Sequence, residues 1–151
     1  MSSTTSLVFV DTNILIYARD RKDQERRAQA RTWLSLLGDH RCGRLNLQVL
    51  NEFSRWVLKN ESRRPLAEVR AEVDMLRAWG DTVVGDDEVE LAWAVRRKFG
   101  FQWFDCLLVG AARLLGCTHF LSEDLTEGAT FDTVRIVHPF RTSASAFLQT
   151  H

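Results

Sequence analysis

The chain has 151 residues, of which 45% are apolar and 26% are charged, which is ordinary for one globular domain with a real core. Its 20 basic and 20 acidic residues give a formal net charge of zero, which excludes binding of a polyanion through overall charge. There is no membrane-length apolar run, no signal-peptide pattern and no C-x-x-C among the three cysteines. We therefore expect a cytoplasmic protein without a disulfide framework or membrane segment.

Apolar runs alternate with helix-periodic segments along the whole chain, and no linker or internal repeat interrupts them. Strands are predicted at residues 6–10, 42–45, 82–84, 118–121 and 134–137. Helices are predicted from residue 12, over 24–37 and 47–59, from Pro65 to Gly80, from Asp86 to Gly100, over 104–115 and near 146–148. This alternation predicts a single α/β domain, residues 1–151, with a mostly parallel sheet covered on both sides.

Four acidic residues lie where apolar segments begin or end: Asp11, Glu52, Asp105 and Asp124. Asp11 and Asp124 directly follow predicted strands, and Asp105 falls in the first turn of a predicted helix. Strand carboxyl ends and helix starts share one edge of a parallel sheet, so these three acids are expected to converge there. Glu52, on the helix after the second strand, can reach the same edge.

Carboxylates that lie close together repel one another unless a cation is bound. Oxygen-only ligands favour Mg²⁺ or Mn²⁺, and such an ion can activate water and stabilise a phosphoryl transition state. Taken singly, each acid has a simpler interpretation as a cap, a turn residue or a solvent-facing charge. The four together, with their flanking sequences, predict one metal site assembled by folding.

Two polar residues are expected beside this edge. Asn13 can hydrogen-bond a neighbouring carboxylate and fix its orientation, and Ser122 can do the same or contact a phosphate. Both residue types also cap helices and form turns, so a purely structural role is the alternative for each. Glu123 is a further candidate that either joins Asp124 or replaces it as a ligand.

A basic stretch follows the first motif and contains Arg19, Arg21, Lys22, Arg26, Arg27 and Arg31. It can hold a nucleic-acid backbone near the acidic site. The alternative is a solvated helix face, balanced by the acidic residues interspersed with it.

Four segments carry a resemblance to a known family. They are residues 10–16 (VDTNILI), the helix with Glu52, residues 103–109 (WFDCLLV) and residues 121–125 (LSEDL). In this order they resemble PIN-domain nucleases, and among these the VapC-type toxins of bacterial toxin–antitoxin pairs. The likeness spans roughly residues 7–140. The core of the expected domain is about residues 6–140.

The resemblance implies a three-layer α/β/α sandwich and a Mg²⁺- or Mn²⁺-dependent endoribonuclease that cleaves RNA, often tRNA or ribosomal RNA. By position, Asp11, Glu52, Asp105 and Asp124 would be the metal-binding and catalytic carboxylates, with Asn13 and Ser122 in support. It further implies a small antitoxin protein as partner and commonly a homodimer. The RNA target, the number of metal ions and the antitoxin's identity are not given by the sequence.

Two other kinds of protein share part of this pattern. A phosphoacceptor receiver domain also clusters aspartates on a parallel sheet, but it needs a lysine after a late strand, and this chain has no lysine beyond Lys98. A non-catalytic PIN-like RNA-binding or RNA-processing module is the second alternative. Such a module would be expected to lack one or more of the acids, and all four are present here.

Overall fold

The computed structural model describes residues 6–151. The expectations for residues 1–5, namely their part in the domain and the absence of a signal peptide, lie outside the described residues. The strands are β1 (Val8–Val10), β2 (Gly43–Arg44), β3 (His119–Leu121), β4 (Thr130–Phe131) and β5 (Val134–Val137). The helices are α1 (Thr12–Tyr17), α2 (Gln24–Asp39), α3 (Leu47–Asn60), α4 (Leu66–Leu76), α5 (Asp86–Phe99), α6 (Trp103–Leu114) and α7 (Ala144–Thr150), with a 3₁₀ turn at Arg77–Trp79.

The strands form one sheet in the order β2-β1-β3-β5-β4. β1 pairs in parallel with β2 and β3, and β3 pairs in parallel with β5, while β4 runs antiparallel to β5 at the edge. The predicted α/β fold with a mostly parallel sheet is therefore confirmed. In the β1–β3 register Val10 lies opposite Leu121, so the residues after both strands emerge side by side.

The centre of the core is the β1–β3 pair. Val8, Phe9 and Val10 are all buried, as expected for a parallel strand that is covered on both faces. The Phe9 and Phe120 rings stack across the pair with their centroids 5.3 Å apart. This apolar interior fixes the strand ends from which the polar site is built.

Helices flank the sheet and complete the three-layer sandwich. α6 packs on α5 and contacts β3 and β5, while α2 contacts β2, α1 and α7, and α3 lies between α1 and α4. Gly100, in the left-handed conformation at φ 73°, ends α5 and lets the chain turn into α6. Within residues 6–151, every helix is too short or too polar to span a lipid bilayer.

The strand predicted at residues 82–84 is wrong. Thr82 makes one isolated backbone contact, accepting a hydrogen bond from Leu47 N at 3.0 Å, and Val83 is 66% exposed. The chain here passes close to the segment after β2, where Gly80 at φ 134° would place a Cβ 2.2 Å from the Leu45 carbonyl oxygen. A β-rich run that neither pairs nor buries its side chains remains a loop.

Two smaller differences concern element ends. Gly38 does not terminate α2, which continues to Asp39. The edge strand β4 was not predicted, because its two residues, Thr130 and Phe131, carry no recognisable strand pattern and pair only within a tight hairpin with β5.

Candidate active site

The adjacent ends of β1 and β3 bring Asp11 and Ser122 into direct contact. Asp11 N donates to the Leu121 carbonyl at 3.3 Å, which extends the strand pairing by one residue. Ser122 Oγ then donates to Asp11 Oδ2 at 3.2 Å and accepts hydrogen bonds from Asp124 N and Leu125 N. The buried Ser122 hydroxyl therefore holds Asp11 and shapes the loop that carries Asp124.

Asp11 is a buried carboxylate, and this costs free energy when it is ionised. Burial, reinforced by the nearby negative charge of Asp105, raises the pKa of Asp11 to about 7, against hydrogen bonds from Thr12 N and Ser122 Oγ that lower it. The bond from Thr12 N, 2.7 Å long, also makes Asp11 the N-cap of α1. Asp11 is therefore a buried acid next to a second acid, and within residues 6–151 it forms no ion pair.

Glu52 reaches this edge from the middle of α3. Thr12 Oγ1 donates to Glu52 Oε2 at 2.7 Å, and Gln48 Nε2, one turn earlier on α3, donates to Glu52 Oε1 at 3.1 Å. Glu52 is otherwise exposed, so these two donors determine where its carboxylate points.

Asp105 lies in the first turn of α6, as predicted. Its side chain makes no hydrogen bond or ion pair with any other part of the described chain. Burial first, and then the charges of Asp124 and Glu52, raise the pKa of Asp105. Asp105 is thus electrostatically coupled to its neighbours but has all its acceptor capacity available for a ligand.

Asp124 and Asn13 form a pair across the cavity mouth. Asn13 Nδ2 donates to Asp124 Oδ2 at 2.7 Å, which is the kind of contact expected of Asn13 from the sequence. Because a carboxylate only accepts, this contact also fixes which end of the Asn13 amide faces Asp124.

Glu123 points to different partners. Tyr17 Oη donates to Glu123 Oε2 at 2.6 Å, and Arg26 Nε donates to Oε1 at 2.9 Å. Burial opposes ionisation of Glu123, but these two hydrogen bonds outweigh it and lower the pKa of Glu123. The hydrogen bond from Tyr17 to Glu123 raises the pKa of Tyr17 to about 12. Glu123 is therefore occupied in an ion pair, whereas Asp124 lines the acidic cavity.

All four acids line one cavity of about 560 Å³, which we call the carboxylate cavity. Its remaining lining residues are Thr12, Asn13, Ile16, Arg55, Trp56, Lys59, Asn60 and Gln102. Within residues 6–151, no three His, Cys, Asp or Glu side chains are close enough to hold one ion directly. The donors nevertheless fit Mg²⁺, which keeps several waters and needs only one or two direct carboxylates.

The sequence pattern does not single out Arg55 and Lys59, which line this cavity, or Gln48, which donates to Glu52. Gln48, Arg55 and Lys59 lie four residues before, three after and seven after Glu52, which places them on the same helical face. A helical projection of α3 centred on Glu52 would have identified them. For Thr12 the sequence predicts only a helix start, because nothing in the sequence indicates its contact with α3.

The fold and this edge define an α/β/α domain with an acidic cavity at the carboxyl ends of its central strands. The PIN domain family model matches residues 8–126, and the chain belongs to that family. Comparison with curated proteins gave no match.

Three solved structures share the fold. A toxin–antitoxin complex from Klebsiella pneumoniae has TM-score 0.59 at 17% identity, covering 89% of this chain and 98% of that one. VapBC2 from Rickettsia felis, bound to a DNA fragment from its promoter, has TM-score 0.56 at 14% identity, covering 86% and 96%. Mycobacterium tuberculosis VapC20, a sarcin-ricin loop cleaving toxin, has TM-score 0.51 at 19% identity, covering 75% and 86%.

Proposed function

We propose that this protein is a Mg²⁺- or Mn²⁺-dependent endoribonuclease and the toxin of a type II toxin–antitoxin pair. One observation carries the proposal: in a PIN-domain chain, Asp11, Glu52, Asp105 and Asp124 line a single cavity at the carboxyl edge of the sheet. Four carboxylates gathered without a matching number of cations favour a divalent metal, and the raised pKa values of Asp11 and Asp105 are consistent with that need.

A divalent ion bound by these carboxylates would supply an activated water and stabilise negative charge on the phosphoryl group. The protein's own contribution is positioning. Thr12 and Gln48 orient Glu52, Asn13 orients Asp124, and Ser122 holds Asp11. Such supporting hydrogen bonds keep ligands in the geometry that the ion requires.

Two basic side chains complete the substrate side of the cavity. Arg55 and Lys59 lie on the α3 face that also carries Glu52, and both line the carboxylate cavity. Cations at this position offset the repulsion between the acids and an RNA phosphate. Arg55 and Lys59 would hold the RNA strand while the carboxylates hold the divalent ion.

The decisive experiment is incubation of the purified protein with total RNA in Mg²⁺ or Mn²⁺, with EDTA as the parallel reaction and mapping of the cut ends. We expect discrete cuts that EDTA abolishes. The Asp105→Asn variant should be inactive because it loses a proposed metal-binding carboxylate. Its fold should persist, since the Asp105 side chain makes no hydrogen bond or ion pair within residues 6–151. Cleavage by Asp105→Asn would refute the assigned site. If neither the parent protein nor Asp105→Asn cleaves RNA, the non-catalytic RNA-binding module is favoured.

The toxin role is tested separately. One of the similar structures is a toxin–antitoxin complex and another is VapBC2 bound to promoter DNA, which supports a small antitoxin protein as the partner of this chain. We expect expression of this chain in the bacterial cytoplasm to arrest growth of the cells. Co-expression of the neighbouring small open reading frame should restore growth. Harmless expression of an active nuclease would contradict the toxin role alone. Light scattering of the purified chain tests the expected homodimer.

A further inference from the structure

A second cavity of about 480 Å³ adjoins the carboxylate cavity, and we call it the basic cavity. It is lined by Arg19, Asp20, Arg21, Lys22, Arg27, Arg31, Trp56, Asn60 and Glu61. Trp56 and Asn60 line both cavities, so the two are neighbours along α3. A ligand that fills one cavity can therefore continue into the other.

The basic cavity has cations that the fold leaves without acidic partners. Arg19 is neutralised by Glu61 and Glu72. By contrast, the side chains of Arg21, Lys22 and Arg27 form no ion pair and no hydrogen bond with the described part of the chain. The cavity's two acids balance these cations only in part: Glu61 is already paired with Arg19 and interacts with the charge of Arg21 at longer range, and Asp20 forms no ion pair within residues 6–151.

Arg27 shows this most clearly. Its Nε is the single buried side-chain nitrogen or oxygen in residues 6–151 that lacks a hydrogen-bond partner. An unsatisfied buried donor costs stability, so a native structure that keeps one needs a reason. The two terminal nitrogens of Arg27 also form no hydrogen bond within residues 6–151, but unlike Nε they are not buried, and Arg27 lines the basic cavity. A guanidinium matches a phosphate in shape and charge, so a phosphate could bind these terminal nitrogens.

We propose that the basic cavity binds a backbone phosphate of the RNA strand whose reacting phosphodiester occupies the carboxylate cavity. This rests on the proposed nuclease function and adds the path of its substrate. Glu52 and Asn60 are eight residues apart on one face of α3, which corresponds to roughly 12 Å along the helix. Asn60 lines both cavities, so at roughly 3.4 Å per stacked nucleotide the junction of the two cavities lies about three to four nucleotides of one strand from Glu52.

The test is the affinity for an unstructured 12-nucleotide RNA, measured by fluorescence anisotropy in EDTA on protein carrying Asp105→Asn. Adding Arg27→Gln should weaken binding about tenfold, the effect of losing one charge-assisted hydrogen bond. It should also reduce the salt dependence, log K against log[salt], by about 0.7, the value for one phosphate on a single strand.

The matched control is Arg97→Gln, which removes the same charge from the last turn of α5, outside both cavities. It should leave the affinity near that of the parent. A second test variant, Arg21→Gln with Lys22→Gln, changes only exposed side chains and should weaken binding at least as much as Arg27→Gln. Parent-like affinity in Arg27→Gln or in the Arg21→Gln/Lys22→Gln double variant, or an equal loss in the Arg97 control, would overturn the proposal.

Thermal unfolding separates a binding role from a structural one. Arg27→Gln removes an unpartnered buried N–H, so its Tm should equal or exceed that of the parent. A large loss of Tm would assign Arg27 to folding and overturn the proposal. Polyglutamate serves as the competing ligand, and tighter Arg27-dependent binding of polyglutamate than of RNA would assign the cavity to an acidic protein segment instead.

Failure of the nuclease function would be visible separately. If total RNA is not cleaved in Mg²⁺ but Arg27-dependent RNA binding persists, the cavity stands as an RNA site while the catalytic proposal fails. If RNA is cleaved and Arg27→Gln changes neither binding nor the KM for the 12-nucleotide RNA, the basic cavity is wrong and the nuclease stands.

Discussion

Thr12 Oγ1 donates a 2.7 Å hydrogen bond to Glu52 Oε2, which ties the first turn of α1 to the middle of α3. Thr12 is buried, whereas Glu52 is exposed apart from this contact and the one from Gln48. Thr12 N simultaneously donates to Asp11, so one residue orients two of the four carboxylates. Thr12 is therefore a positioning residue of the proposed site.

We predict that Thr12→Val lowers the RNA cleavage rate about tenfold, in the range seen when a metal ligand loses its supporting hydrogen bond. Valine keeps the shape of threonine but leaves Glu52 Oε2 without its donor. The rate should be measured across a Mg²⁺ titration, because a misplaced ligand also weakens metal binding. Thr12→Ser is the control and should retain the parent rate, since it keeps the hydroxyl. Equal activity in all three proteins would contradict a positioning role.

The two adjacent acids at the end of β3 should behave in opposite ways. Asp124→Asn should reduce cleavage on the order of 10²- to 10³-fold, because a ligand carboxylate contributes several kcal/mol to the transition state. Its fold should persist, since the amide oxygen can still accept the bond from Asn13. Cleavage assays and circular dichroism of the purified variant check both statements.

Glu123→Gln should instead keep cleavage and lower Tm. Glutamine loses the charge that pairs with Arg26 at 2.7 Å, and it can satisfy Tyr17 only with a neutral acceptor. An inactive but stable Glu123→Gln, together with an active Asp124→Asn, would exchange the assigned roles of these two residues.

The buried carboxylate of Asp11 predicts an unusual pH dependence of stability. Its folded-state pKa is raised from 3.8 to about 7, so ionisation is less favourable in the folded than in the unfolded protein. The folded state is therefore favoured at low pH, and its stability falls as pH rises from about 4 to 7. Each unit of the shift corresponds to about 1.4 kcal/mol, so Tm in EDTA should fall by roughly 10 °C over that interval.

Scanning calorimetry from about pH 4 to pH 8, with EDTA or with millimolar Mg²⁺ or Mn²⁺, measures this effect. Metal should restore most of the lost Tm at pH 8, because it binds only the ionised, folded site. Asp11→Asn should have a flatter profile than the parent and a smaller response to metal. A parent Tm that rises with pH in EDTA would contradict the burial of an ionisable Asp11.

The sheet and the approach of Asp11, Asp105 and Asp124 followed from the sequence because they depend on local order along the chain. A buried run followed by an acid, or an acid in a first helical turn, places that acid at the carboxyl edge of a parallel sheet. The β1–β3 register shows why: Val10 and Leu121 lie opposite each other, so the residues after them meet.

The contacts that orient the acids could not be predicted in the same way. The Thr12–Glu52 bond joins residues 40 positions apart, and the Asn13–Asp124 bond joins residues 111 apart. The first bond depends on how α1 packs against α3 and the second on how α1 meets the loop after β3, and no local pattern encodes either. The sequence also does not show which arginines of the basic stretch form ion pairs. Only the tertiary structure shows that Arg19 and Arg26 are paired, while Arg21 and Arg27 are not.

Arg19 joins the segment after α1 to the end of α3 and to α4. Its guanidinium donates to both Glu61 oxygens and both Glu72 oxygens, with the bonds to Glu72 at 2.7 and 2.8 Å. The Glu61 contact, which outweighs partial burial, raises the pKa of Arg19, so the cation is held in the folded state. Arg19→Met should reduce the free energy of unfolding by about 1–2 kcal/mol, because the partly buried carboxylates of Glu61 and Glu72 lose four hydrogen bonds and keep only Arg64 as an ion-pair partner.

Arg70→Met is the matched control for this loss. Its ion pair with Asp74 is also made by one arginine and an acid, but the Arg70 side chain is 78% exposed and contributes little in water. Urea unfolding at low and high salt should show a loss for Arg19→Met that shrinks with salt, and almost no change for Arg70→Met. Equal losses in the two variants would mean that removal of any surface arginine destabilises the protein, and that the four-oxygen contact of Arg19 has no special role in holding α4.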